Sequence, residues 1–88
     1  MNDIGWTTQA FNQVNGILKY NPERVADVAA ALKELNRGLK ENGASFGESR
    51  AGNTRVCFVG PLVVYYWMHE RLPMAVISRV HLNPKSML

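Results

Sequence analysis

Eighty-eight residues suffice for one domain, residues 1–88, and are too few for two. Apolar side chains make up 47% of the chain, which excludes a disordered polymer and is enough for a packed core. Cys57 is the single cysteine, so an internal disulfide is excluded, and a net charge of +3 leaves polyanions and acidic protein segments open as partners.

The first residues, Met1 to Gly5, read as a frayed end or a short edge strand running into Trp6. From Thr8 to about Lys19, Ala10, Phe11, Val14, Ile17 and Leu18 recur at helical spacing and predict one buried stripe, with Thr7 as N-cap. Asn21-Pro22-Glu23 reads as the start of a second helix: Asn21 can accept from an orphan amide, Pro22 suits the first turn, and Glu23 suits the positive end of the dipole. That helix is predicted to run to about Glu41, with Gly43 as its stop. Val25, Val28, Leu32, Leu35 and Leu39 face the core, and Arg24, Asp27, Lys33, Glu34, Arg37, Lys40 and Glu41 form a solvated outer face. The short join makes the two helices an antiparallel hairpin.

Ala44 to Thr54 reads as loop, broken by Gly47, Gly52, Ser45, Ser49 and Asn53. The period then changes. Arg55–Val59, Leu62–Met68 and Met74–Leu82 are rich in β-branched and aromatic residues and read as strands, joined by a Gly60-Pro61 turn and a His69–Pro73 turn. Asn83-Pro84 ends the last strand, and the tail from Lys85 to Leu88 is too short to assign.

The expected fold class is α+β, a two-helix hairpin packed on one face of a small antiparallel sheet. In the last strand, strict alternation puts Met74, Val76, Ser78, Val80 and Leu82 on the core face, with Arg79 and His81 on the open face. Charge follows the same division. Residues 1–48 carry five Lys/Arg against six Asp/Glu, whereas residues 49–88 carry five against Glu70 alone. The strand half is therefore basic and suited to RNA or an acidic segment. No basic-then-apolar N-terminal run predicts a signal peptide, and no apolar stretch is long enough to span a bilayer. A soluble cytoplasmic protein is expected.

One constellation carries chemical promise: Arg55, Arg71 and Arg79 with Tyr65, Tyr66, Trp67 and His81. Guanidinium groups bind phosphates bidentately, aromatic rings stack on unpaired bases, and a histidine can move a proton. Cys57, His69 and His81 lack the close pairing of metal ligands, so no metal or cofactor is expected, and Cys57 reads as an inert strand residue.

Three stretches resemble short bacterial sequences of the RelE/ParE toxin superfamily: Gly47-Glu48-Ser49-Arg50, the run Arg55 to Tyr65 with its Gly60-Pro61-Leu62 turn, and Val76-Ile77-Ser78-Arg79-Val80-His81. The family's first strand would come from about Asn2 to Trp6. The resemblance implies a bacterial toxin blocked by a cognate antitoxin, either cutting messenger RNA on the ribosome or poisoning DNA gyrase. It makes Arg55, Arg79 and His81 the catalytic candidates, with Arg50, Arg71 and Tyr65 as binding candidates. The chain departs from the RNA-cutting pattern in two places: no tyrosine follows His81, and Leu62 or Val63 stands where an arginine is common. Two other readings of the same residues remain: a non-catalytic module that binds an acidic segment or RNA, and a homodimer with Tyr65, Tyr66 and Trp67 in its interface.

Overall fold

The helix-period and strand-period stretches separate into two layers in a computed structural model, which describes residues 2–50 and 52–84. The chain runs β1 (Asp3–Trp6), α1 (Thr8–Tyr20), a 3-10 turn (Pro22–Arg24), α2 (Val25–Phe46), β2 (Glu48–Ser49), β3 (Thr54–Val59), β4 (Leu62–Met68) and β5 (Met74–Leu82). The strands form one sheet in the order β1-β5-β4-β3-β2. The sheet is mixed rather than wholly antiparallel, because β1 pairs with β5 in parallel. Met1 and Ala51, which fall in the predicted N-terminal and loop segments, lie outside the described residues, as does the tail.

Thr7 caps α1 as predicted, its Oγ1 accepting from the Ala10 amide at 3.1 Å. Asn21 does not cap α2. Its side-chain amide instead donates to the Ile17 carbonyl at 2.9 Å, closing the C-terminal end of α1. A Pro-led 3-10 turn then hands over to α2. That helix continues past the predicted stop, and Asn42 takes a non-helical backbone (φ −140°, ψ 43°) that kinks it. Carbonyls near the kink find partners elsewhere: Leu39 and Lys40 accept from the Asn2 side chain and backbone, and Gly43 accepts from the Tyr66 hydroxyl. Beyond it Phe46 folds back on Gly38, where a β-carbon would collide with the Phe46 ring. The early turns of α2 lie at the β3–β4 turn, with Gly60 against Ala31, and its later turns reach Asn2. The helix thus runs against β5, while α1 follows the direction of β5 from Ser78 to Val80.

The core lies between the helices and one sheet face. It joins Ala10 and Val14 of α1, Val28, Ala31, Leu35 and Leu39 of α2, and Cys57, Val59, Leu62, Val64, Tyr66, Ala75, Ile77 and Val80 of the strands. Two members of the expected helical stripes fall outside it: Phe11 is 58% exposed and Val25 46%. Leu32 is half-buried at the margin, and Ala31 takes the central place.

Strict alternation fails in β5, and the reason is local. Tyr66 pairs with Ile77, but Tyr65 pairs with Arg79, so Ser78 is an extra residue, a β-bulge. Before the bulge the core face is Ala75 and Ile77, not Met74, Val76 and Ser78; after it Val80 faces the core, as expected.

Candidate functional site

β4 alternates Leu62, Val64 and Tyr66 toward the helices with Val63, Tyr65 and Trp67 toward the open face. Across from Tyr65 stands Arg79, and across from Val63 stands His81. The bulge brings both there: in an unbroken register Arg79 would oppose Val64 and His81 would oppose Leu62, on the core face. Tyr65 consequently sits among two side chains of β5. The Arg79 guanidinium carbon is 5.5 Å from the Tyr65 ring centroid. The His81 ring stacks at 5.7 Å with an interplanar angle of 27°.

Beside this cluster is an open depression of about 340 Å³ lined by Gln9, Arg50, Thr54, Tyr65, Ser78 and Arg79. Two of its six lining residues are arginines and none is acidic, so it suits an anion. Arg50 also lies 3.9 Å from Glu48, a solvent-exposed pair that competes weakly with any anion. The structure thus gathers Arg50, Tyr65, Arg79 and His81 from the sequence-derived candidates.

Arg55 and Arg71 lie elsewhere. Arg55 pairs with Tyr66 and shares its side of the sheet with Cys57, so it does not join Arg79 and His81 on one face. Its Nη1 donates to the Gly47 carbonyl at 3.3 Å. Arg71 is exposed in the β4–β5 turn and lines a separate hollow of about 230 Å³ with Asn53, Trp67, His69 and others. In that turn His69 Nδ1 accepts from the Arg71 and Leu72 amides at 3.0 and 3.1 Å. Tyr66 is fully buried and unavailable to a dimer interface.

Gln9, Thr54 and Ser78 are not sequence candidates. Thr54 is legible by alternation with Val56 and Phe58, and Gln9 stands one turn before Gln13 on α1; no sequence signal marks Ser78. Among the described residues no three His, Cys, Asp or Glu side chains are grouped to hold a metal ion, and no helix is long and apolar enough to cross a membrane. The Cys57 thiol is buried, which pushes its pKa up to about 12 and leaves it protonated and unreactive at neutral pH.

Two helices on one face of a five-stranded mixed sheet define a small α+β class that solved structures share. A chain of the toxin–antitoxin complex RelBE2 from Mycobacterium tuberculosis matches with a TM-score of 0.72 and 22% identity, over 93% of this chain and 98% of that one. A chain of the chromosomal ParDE toxin–antitoxin system from P. aeruginosa matches with a TM-score of 0.70 and 16% identity, over 93% and 96%. The protein has the RelE/ParE toxin fold. No protein-family model matches the sequence, and no curated protein matches it.

Proposed function

We propose that the chain is the toxin of a toxin–antitoxin pair, that it cuts messenger RNA through the open face of its sheet, and that a cognate antitoxin blocks it in the bacterial cytoplasm. The observation that carries this reading is the cluster of Arg79, Tyr65 and His81 beside Arg50, on a fold shared with chains of RelBE2 and ParDE complexes. The two guanidinium groups hold a phosphate and stabilise the charge that grows on it as the adjacent ribose 2′-hydroxyl attacks, closing a cyclic phosphate while the bond to the 5′ oxygen of the next nucleotide breaks. Tyr65 offers its ring to an unpaired base. His81 moves a proton to or from the reacting oxygens.

The test is inducible expression in bacteria with primer-extension mapping of transcripts, beside a gyrase supercoiling assay. Growth should slow, transcripts should be cut, supercoiling should persist, and a short acidic protein encoded next to this chain should restore growth. Loss of supercoiling with intact transcripts would move the target to DNA gyrase. A second reading, binding of RNA or an acidic segment without catalysis, draws support from Arg55, which pairs with Tyr66 and stands on the helix side of the sheet, apart from Arg79 and His81. A chain with no effect on growth, transcripts or gyrase would favour it.

A further inference from the structure

β1 pairs with β5 only as far as Trp6 opposite Ile77. Beyond that point the same edge of β5 is covered by groups at the start of α1. The Thr7 amide donates to the Ile77 carbonyl at 3.0 Å, and Thr7 Oγ1 donates to the Ser78 carbonyl at 3.3 Å. Gln13 Oε1 accepts from the Val80 amide at 2.7 Å. On the other edge Ser78 Oγ donates to the Tyr65 carbonyl at 3.2 Å.

These bonds distinguish the two registers open to the strand. Backbone groups of successive residues in a strand point to opposite edges. The Ile77 carbonyl points to the β1–α1 edge, so without a bulge residue 79 would present its amide there and residue 80 would face β4. It is the Val80 amide that meets Gln13, which happens only when one extra residue is taken up between them. Val80 is 1% exposed with Gln13 in place, so its amide relies on the Gln13 side chain rather than on water for its hydrogen bond.

We infer that Gln13 is a positioning residue for the open-face site: by accepting from Val80 it locks the Ser78 bulge, and the bulge holds Arg79 and His81 beside Tyr65. The inference rests on the reading of that cluster as the functional site, but it concerns geometry that is measured without activity. α1 thereby becomes an element of the site, although Gln13 itself bonds the backbone of β5 and not the aromatic cluster.

The test is nuclear magnetic resonance of the isolated protein and three variants, with growth inhibition measured in parallel. In the wild type, a scalar coupling across the hydrogen bond should join the Val80 amide nitrogen to the Gln13 side-chain carbonyl carbon. Its absence, with a rapidly exchanging Val80 amide, overturns the proposal before any variant is made. Gln13→Ala keeps a good helix former; it should speed Val80 amide exchange roughly tenfold or more and separate the Tyr65 and His81 rings. Gln13→Glu retains an acceptor oxygen and should keep the slow exchange and the ring stacking. Ser78→Ala removes the bond to Tyr65 but leaves the Gln13 lock, and should keep the rings stacked. A Gln13→Ala protein whose Tyr65 and His81 rings remain together overturns the positioning role, whatever its toxicity. A Gln13→Ala protein in which the rings separate, while the wild type proves harmless to cells, supports the positioning role and defeats the toxin reading instead.

Discussion

Arg55 and Arg79 pair with adjacent residues of one strand, Tyr66 and Tyr65, and therefore project from opposite faces of the sheet. Pairing with neighbouring tyrosines thus separates the two arginines rather than joining them, and the separation predicts opposite phenotypes. Arg79→Ala should weaken binding of single-stranded RNA about three- to tenfold, the size expected for an exposed charged group. The salt slope of binding should fall by about 0.7 for each phosphate that Arg79 neutralises. Arg55→Ala should leave both the affinity and the slope unchanged. Equal weakening by the two variants in a salt-titrated binding assay would mean that the ligand reaches round the sheet edge and that the open face is not the site.

Tyr66 links the kinked end of α2 to the sheet. Its hydroxyl donates to the Gly43 carbonyl at 2.7 Å and accepts from the Gly47 amide at 2.8 Å. Tyr66→Phe leaves both backbone groups without that partner and should cost about 1–3 kcal/mol in urea denaturation. Gly47→Ala should destabilise as well, because a β-carbon there would stand 2.8 Å from the Val56 carbonyl oxygen and 2.9 Å from the Tyr66 hydroxyl. In both variants hydrogen exchange should rise first in residues 43–49. Global destabilisation without local fraying would show that the tether is not the weak point.

Core truncations separate residues that helical spacing treats alike. Leu35→Ala, at a fully buried site, should cost about 2–5 kcal/mol. Leu32→Ala should cost less, because Leu32 sits half-buried at the core margin. Phe11→Ala should stay within about 0.5 kcal/mol, since that ring is 58% exposed. A Leu32→Ala cost equal to that of Leu35→Ala would place Leu32 in the core centre rather than at its margin.

The parts of the fold that the sequence makes legible are those written in periodicity. Val28, Leu35 and Leu39 repeat at helical spacing and lie in the core, and the β-branched and aromatic runs Leu62–Met68 and Met74–Leu82 are strands with the expected bounds. What stays hidden depends on single residues whose conformation is set by distant partners. Glu41 and Gly43 look like a helix end and its stop, but the helix only kinks between them at Asn42, where Asn2 and Tyr66 satisfy nearby carbonyls. Glu48 and Ser49 look like loop but pair with Val56 and Arg55. Ser78 looks like one more alternating position but is the bulge. It reverses which of the first β5 residues are buried while leaving Arg79 and His81 on the open face. Strict alternation thus places Arg79 and His81 correctly and Met74 to Ser78 incorrectly, since no pattern in the sequence marks the extra residue.

The buried thiol gives a pH dependence of definite sign. In the unfolded chain Cys57 ionises near 9.0, whereas burial pushes its folded pKa up to about 12. Between those values the folded state binds more protons than the unfolded state, so stability must fall as pH rises through that window and be independent of this group below it. The limiting slope is about 1.4 kcal/mol per pH unit for one group. Burial also raises the pKa of Tyr66 above 10.0, so a second contribution of the same sign enters at the upper end. Urea midpoints measured at about pH 8, 9.5 and 11 should therefore decline in the wild type. Cys57→Ala should decline less steeply over the same range, and the double variant with Tyr66→Phe less steeply still, although both start lower at the first of these values. There the native thiol should react with a disulfide reagent only as fast as the protein opens, so labelling should accelerate in step with added urea. Rapid labelling of the native protein at the rate of a free thiol, or a Cys57→Ala profile parallel to the wild type, would show that water reaches Cys57 and that the core between β3 and the helices is not close-packed.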